Sequence, residues 1–189
     1  EISPVIMITV FNYRINQLLG TNGLVTFTVL MYIYNLVLMV MVGTSQGTQP
    51  LVSFYYGRND KKDVSTLHKY ARVLVSCAGA LLFLVVEIFA PNITAAFIPK
   101  DTANYFNTIT ALRQFSFVFL IMGHVVITSG YMVALEEPRK AFVLSISRGI
   151  FFVLLSLFVC TTLFKENGIW ISCTISEIFC LSIALYDLK

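Results

Sequence analysis

The sequence is poor in charged residues, and this shortage decides its broad class. Only 12 % of the 189 residues are Asp, Glu, Lys or Arg, whereas 57 % are hydrophobic and the mean hydropathy is +0.80. Soluble domains carry about 25 % charged residues, which cover their surface. Proline is scarce too, with 5 residues, while 16 Phe and 9 Tyr supply ordering side chains, so a disordered chain is excluded. The composition predicts an integral membrane protein.

The four cysteines lack the spacing of a metal site or a disulfide framework. Cys77, Cys160, Cys173 and Cys180 lie inside apolar runs, with no C-x-x-C pair and no His at ligand spacing. The sequence also has no P-loop, no Ser/His/Asp set and no glycine-rich nucleotide motif. We therefore predict no enzyme, no ATP-driven pump, no bound metal or cofactor, and no nucleic-acid partner.

Six apolar runs are long enough, or nearly so, to cross a bilayer as helices, since about 20 helical residues span its core. They cover residues 2–19, 24–56, 70–90, 106–135, 141–164 and 168–188. The run at 24–56 exceeds the bilayer thickness, so it either projects beyond the membrane or bends near Gly43, Gly47 or Pro50. Because no run shows the alternation of barrel strands, we predict an all-α membrane protein with six transmembrane helices.

Positive charge alternates between the loops and predicts the orientation. Five basic residues lie at 58–72, between spans two and three, and Arg139 and Lys140 lie between spans four and five. The loops after spans three and five carry one lysine each, Lys100 and Lys165. Cytoplasmic loops are the richer in Lys and Arg, so both termini are expected in the cytoplasm, in a multi-pass protein of the cell membrane. The chain opens at Glu1 without a signal peptide, which we interpret as a cut through a longer protein.

A distinctive motif closes the second span. Residues 43–57 read GTSQGTQPLVSFYYG, and a basic loop follows. The motif resembles the G-x-x-Q-G-x-Q-P-L-x-S-x-x-Y-G signature that ends the eighth helix in the multidrug and toxic compound extrusion (MATE) family of antiporters. Residues 129–141 and 167–177 resemble the family's tenth-to-eleventh helix junction and the start of its last helix. At Glu136 the family usually has Gly, which predicts a different cap at that helix end.

The resemblance implies that residues 1–189 form the C-terminal six-helix lobe of a twelve-helix transporter whose two lobes are related by an axis along the membrane normal. It implies secondary active efflux of organic cations and other amphiphiles in exchange for Na⁺ or H⁺, by alternating access of the two lobes. The implied partners are the lipid bilayer, organic-cation drugs and an N-terminal lobe. The resemblance gives structural roles to the signature residues Gly43, Gly47, Gln49, Pro50 and Gly57, and the Gly-x-x-x-Gly spacing predicts a close helix crossing.

Two other functions stay open from the sequence. One is a lipid-linked-oligosaccharide flippase with the same superfamily plan, and the other is a membrane subunit that scaffolds a partner without transport. A flippase of that kind should have a strongly cationic cavity, yet Arg14, Arg113 and Arg148 are the only Lys or Arg residues that lie more than two residues inside a span. The Gln-Pro-Leu signature favours the exporter.

Polar and aromatic residues within the spans are the candidates for a substrate cleft, because buried polar groups are costly in lipid. Helix packing is the competing interpretation for all of them. The stripe on span two combines an aromatic ring, an amide and a flexible thioether, which suits varied ligands. The candidates are Asn16 of span one, Tyr32, Asn35 and Met39 of span two, and Phe117 and Tyr131 of span four.

Three ionisable residues are candidates for ion coupling: Arg113, His124 and Glu177. We expect His124 to border the central cleft, on one face of span four with the other polar residues of that span, where it could be protonated during transport. A neutral His bonded to a neighbouring helix is the alternative. Glu177 is expected to pair with Arg148, which would equally fit a structural salt bridge.

Overall fold

The computed structural model describes residues 2–187, with side chains described from 6 to 185. Every element in this part of the chain is helical, which confirms the predicted all-α class. The elements are α1 (Ile2–Gly57), α2 (Lys61–Ala95), α3 (Ala103–Ser116), α4 (Phe119–Ala134), α5 (Pro138–Ile146), a π-helical turn (Ser147–Phe151), α6 (Phe152–Phe164) and α7 (Glu166–Asp187).

The first helix contains two spans that fold back on each other at Gly20. The backbone there has φ 64° and ψ −155°, a conformation that essentially only glycine adopts. The rings of Phe11 and Phe27 stack with centroids 5.5 Å apart, so the two halves of α1 run side by side. Beyond the turn the chain stays helical to Gly57, with Pro50 inside the helix and no non-helical backbone angles at Gly43, Gly47 or Pro50.

The fourth span differs from its prediction as one helix over 106–135, because it breaks between α3 and α4. The two helices meet at 43°. Val118 N donates to Phe115 O at 3.0 Å, a three-residue spacing that tightens the chain at the break. On α2, a Cβ added to Gly79 would lie 2.5 Å from the carbonyl oxygen of Phe119. The close approach of the start of α4 to α2 therefore depends on the absence of a side chain at Gly79.

The helices supply the predicted number of crossings. Four candidate membrane spans are long and apolar enough in the described chain, and the bent pair α3–α4 could form a fifth. One of the four runs from Pro138 to Phe164 through the π-helical turn. Because α1 contributes two antiparallel halves, six crossings result. The helices extend beyond the expected bounds, since α2 begins at Lys61 and α7 at Glu166.

Where α4 packs on α1, the glycines at the contacts belong to α4 and not to the signature. A Cβ at Gly123 would lie 2.8 Å from Met41 Sδ and 2.9 Å from Val75 Cβ, and a Cβ at Gly130 would clash with Ser45 Oγ. At Gly43 and Gly47 an added Cβ would meet no heavy atom within 4 Å. The predicted close crossing at these two residues is therefore wrong in this lobe.

Candidate functional site

A cavity of about 380 Å³, partly open to the surface, lies between the helices of the lobe, and its volume is within the range of small-ligand sites. Both halves of α1 contribute to its wall, together with α3, α4, α5, the π-helical turn, α6 and α7. Most of the residues that line it are apolar or aromatic, and a few are polar. The full lining consists of Met7, Ile8, Met31, Tyr34, Asn35, Leu38, Phe115, Val118, Val125, Ser129, Leu144, Ser145, Arg148, Gly149, Val153, Cys173, Ser176 and Glu177.

A buried ion pair lies in the wall of the cavity. Arg148 Nε donates to Glu177 Oε1 at 2.7 Å, which confirms the predicted pairing. The side chains are 22 % and 7 % exposed, and Arg148 Nη2 also donates to Tyr34 Oη at 3.5 Å. Glu177 Oε2 and Ser176 Oγ are buried without a hydrogen-bond partner. A buried charge within a membrane is costly unless it is paired and hydrogen-bonded. Because only one oxygen of the Glu177 carboxylate has a partner, this group is the main candidate for chemistry in the cavity.

The π-helical turn explains how Arg148 is held in the lobe. Residues Ser147–Phe151 are wound more widely than the flanking α5 and α6, as in the short π-bulges that often occur at functional sites. Both Arg148 and its neighbour Gly149 line the cavity. Glu177 approaches from α7, so the pair joins the π-helical turn to the last helix.

The predicted stripe of span two lies on the surface of this lobe, and one member borders the cavity. Asn35 lines the cavity and donates through Nδ2 to Met31 O at 2.8 Å. Tyr32 is 58 % exposed and Met39 70 % exposed. Asn16, on the first half of α1, is exposed as well. The four residues therefore do not share one pocket.

The polar face of span four packs towards α2 and not into the cavity. Arg113 Nε lies 3.7 Å from Glu87 Oε2, and the Phe117 ring packs on Phe83 with centroids 5.1 Å apart. Further along the same helix pair, His124 Nε2 and Ser76 Oγ are 3.0 Å apart.

The first part of this stripe stays open on the lobe surface, since Arg113 and Phe117 are exposed, and whether it borders the central cleft stays a prediction. Tyr131 lies against the His68 ring at 4.1 Å, and Thr128 is buried with 2 % exposure. His124 has the arrangement of the alternative interpretation, a histidine bonded to a neighbouring helix. The face of α4 that does border the cavity carries Ser129 instead. The structure thus separates His124 and Arg113 from Glu177.

Several lining residues were missed by the sequence analysis, namely Tyr34, Ser129, Ser145 and Ser176. Their hydroxyl groups carry no distinctive spacing, and only the position of Arg148 in space could have identified Tyr34.

The signature residues lie away from this cavity. Gln49 borders a void of about 10 Å³ beside His68 and Tyr131. Gly57 ends α1, and Asn59 takes the left-handed conformation after it with φ 60°. Gly43, Gly47 and Pro50 are exposed in this lobe or nearly so, and their structural roles stay predictions.

A bundle of six crossing helices around an internal cavity with a buried ion pair defines the lobe of a helical membrane transporter. The MatE family model matches residues 2–158, and the chain belongs to this family. The resemblance drawn from the signature is thereby confirmed, as is the six-helix lobe. A comparison with curated protein sequences gave no match.

Solved structures of transporters share this fold. An outward-facing multidrug resistance MATE family transporter of the MOP superfamily matches with a TM-score of 0.90 and 20 % identity over 98 % of this chain and 42 % of that chain. An inward-facing conformation of such a transporter gives 0.91 and 19 % identity over 97 % and 43 %. A MOP superfamily transporter from Pyrococcus furiosus, described by a reverse polarity of its binding pocket, gives 0.90 and 19 % over 98 % and 42 %. The chain thus spans less than half the length of these structures.

Proposed function

We propose that this chain is the C-terminal lobe of a secondary multidrug exporter, which expels organic cations and other amphiphiles in exchange for Na⁺ or H⁺. The observation that carries the proposal is the fit of one lobe to two opposite states. The chain matches an outward-facing relative with a TM-score of 0.90 and an inward-facing relative with 0.91. A lobe that keeps its fold in both states suits rigid-body rocking against a second lobe, which alternates access to the substrate.

The exposed stripe of α1 is the proposed surface for substrate between the two lobes. Tyr32, Leu36 and Met39 are 58 %, 62 % and 70 % exposed, and Asn35 lies among them. A flexible thioether beside an aromatic ring can adapt to ligands of different shape. Asn16 on the first half of α1 is proposed to extend this surface.

Among the coupling candidates, the proposed role falls first to Glu177. Its carboxylate keeps one oxygen, Oε2, without a partner, and a proton or Na⁺ there would compete with Arg148 for the negative charge. Arg113 and His124 already have partners on α2, which supports packing roles for them. A single paired arginine in the cavity does not favour the flippase, which needs a strongly cationic site.

The proposed setting is the cell membrane with both chain termini in the cytoplasm. The basic segment at 58–72 supports this orientation, since it lies in the turn between α1 and α2 and the first part of α2.

The proposal is tested with the intact two-lobed transporter reconstituted in liposomes. An imposed Na⁺ or H⁺ gradient is expected to drive ethidium transport, and Glu177→Gln is expected to reduce the gradient-driven rate at least tenfold. Arg113→Gln serves as the matched control at a charged residue outside the cavity. Ethidium movement that ignores both gradients would contradict the exporter and leave the scaffold as the better interpretation.

A further inference from the structure

The ion pair exposes its arginine side chain more than its glutamate side chain. The Arg148 side chain keeps 22 % of its surface exposed, whereas the Glu177 side chain keeps 7 %. Glu177 Oε2 and Ser176 Oγ have no accessible surface, so these acceptors are shielded. Although the pair is neutral as a whole, a molecule inside the cavity therefore has more access to the Arg148 side chain than to the Glu177 carboxylate.

Neighbouring groups add further hydrogen-bond donors to the cavity wall. The Tyr34 oxygen accepts from Arg148 Nη2 at 3.5 Å, which leaves the Tyr34 hydroxyl hydrogen free to donate. Ser129 and Ser145 also line the cavity and can donate through their hydroxyls. Apart from the shielded Glu177, the cavity wall contains no carboxylate among the described residues.

The remainder of the wall suits an apolar body. Met31, Leu38, Phe115 and Val118 line the cavity, whose volume of about 380 Å³ is typical of a small-ligand site. A wall that combines hydrogen-bond donors with apolar side chains suits an amphiphile, with its polar head at Arg148.

We propose that this cavity binds an organic carboxylate with an apolar body, whose head group lies on the exposed edge of Arg148. A guanidinium binds a carboxylate through charge-assisted hydrogen bonds, whereas it repels a cationic head at the same place. The inference rests on the proposed transport function only where it makes such an acid a substrate of the same transporter. The ligand class differs from the organic cations assigned to the surface between the lobes.

The test is equilibrium binding of a dansyl-labelled undecanoic acid to the intact transporter in detergent, followed by dansyl fluorescence. The methyl ester of the same probe, which keeps the apolar body and lacks the charge, is the matched ligand. The acid is expected to bind at least tenfold more tightly than the ester. Arg148→Gln is expected to weaken the acid at least tenfold and to leave the ester unchanged, while Arg113→Gln leaves both unchanged.

A second variant keeps the test decisive if Arg148→Gln fails to fold or leaves Glu177 as a new repulsive charge. Arg148→Gln combined with Glu177→Gln removes both charges, and it is expected to bind the acid as weakly as the ester. Equal affinity of acid and ester for the unmodified protein, or an unchanged acid affinity in the double variant, would overturn the proposal.

The two experiments distinguish failure of the cavity proposal from failure of the exporter proposal. Gradient-driven ethidium transport without selective acid binding would remove the cavity assignment and leave the exporter. Acid binding that depends on Arg148, without gradient-driven transport, would leave the cavity assignment and remove the exporter.

Discussion

The ion pair between Arg148 and Glu177 is expected to have a far larger coupling energy than its exposed counterpart elsewhere in the protein. The two groups are 2.7 Å apart with side chains 22 % and 7 % exposed. Glu177→Leu would leave Arg148 buried without a counter-charge, and breaking one side of a buried pair costs about 3–5 kcal/mol. Arg148→Met would leave the Glu177 carboxylate buried without a counter-charge, at a similar cost in the free energy of unfolding.

The double variant is expected to recover most of this loss. Replacing both partners by apolar residues of similar size removes the uncompensated charge, and such replacements are often neutral or even stabilising. The coupling energy of Arg148 and Glu177 in a double-mutant cycle should therefore be about 3 kcal/mol or more. Equilibrium unfolding of the intact protein in mixed micelles of mild detergent and SDS measures each variant.

The chain offers a matched control pair. Arg113 and Glu87 lie 3.7 Å apart with side chains 50 % and 28 % exposed. Exposed pairs typically contribute about 0.2–1 kcal/mol, so Arg113→Met with Glu87→Leu should show a coupling of no more than about 1 kcal/mol. The reasoning is refuted if the two cycles give equal coupling energies, because burial would then make no difference.

Three further predictions concern packing, capping and orientation. Gly123→Leu is expected to destabilise the protein by about 1–3 kcal/mol in the same unfolding assay, because Met41 Sδ lies 2.8 Å from an added Cβ. Gly47→Leu should change the free energy of unfolding by less than about 0.5 kcal/mol, because an added Cβ there meets no heavy atom within 4 Å. Glu136→Gly should raise stability by about 1 kcal/mol, because Glu136 has φ 60° and L residues are strained there; a lowered melting temperature would contradict this. Single cysteines at Lys62 and Lys100 should react with a membrane-impermeant maleimide from opposite sides, and same-side labelling would remove the proposed topology.

The number and order of the spans could be predicted because hydrophobic runs report burial in lipid directly. The fine structure of those runs could not be predicted in the same way. The run at 106–135 has no proline, yet the helix breaks near Phe117, where Gly79 on another helix leaves room for the Phe119 carbonyl. Glu136 is a second such case, because its backbone is left-handed although the residue is not glycine. It occupies the position where the family usually has glycine.

The candidate site was partly predictable for the same reason. Charges within spans are so rare that Arg148 and Glu177 could be paired from the sequence, whereas the hydroxyls that line the cavity have no such rarity. The contacts of span four follow a related rule. A helix with a polar face predicts that the face meets something other than lipid, and here it meets the polar residues Glu87 and Ser76 of α2.

The failed prediction for Gly43 and Gly47 shows why a pattern on one helix does not locate a crossing. Close approach needs a small residue on one side of the contact and a fitting side chain on the other. Here α4 supplies the small residues, Gly123 and Gly130, while α1 supplies Met41 and Ser45. Ser45 lies between the signature glycines and donates to Val126 O at 3.4 Å, so the face of α1 that packs on α4 is the one that the glycines do not occupy. Within this lobe the face of α1 that carries the two glycines is therefore exposed, while the opposite contact with α4 is closely packed.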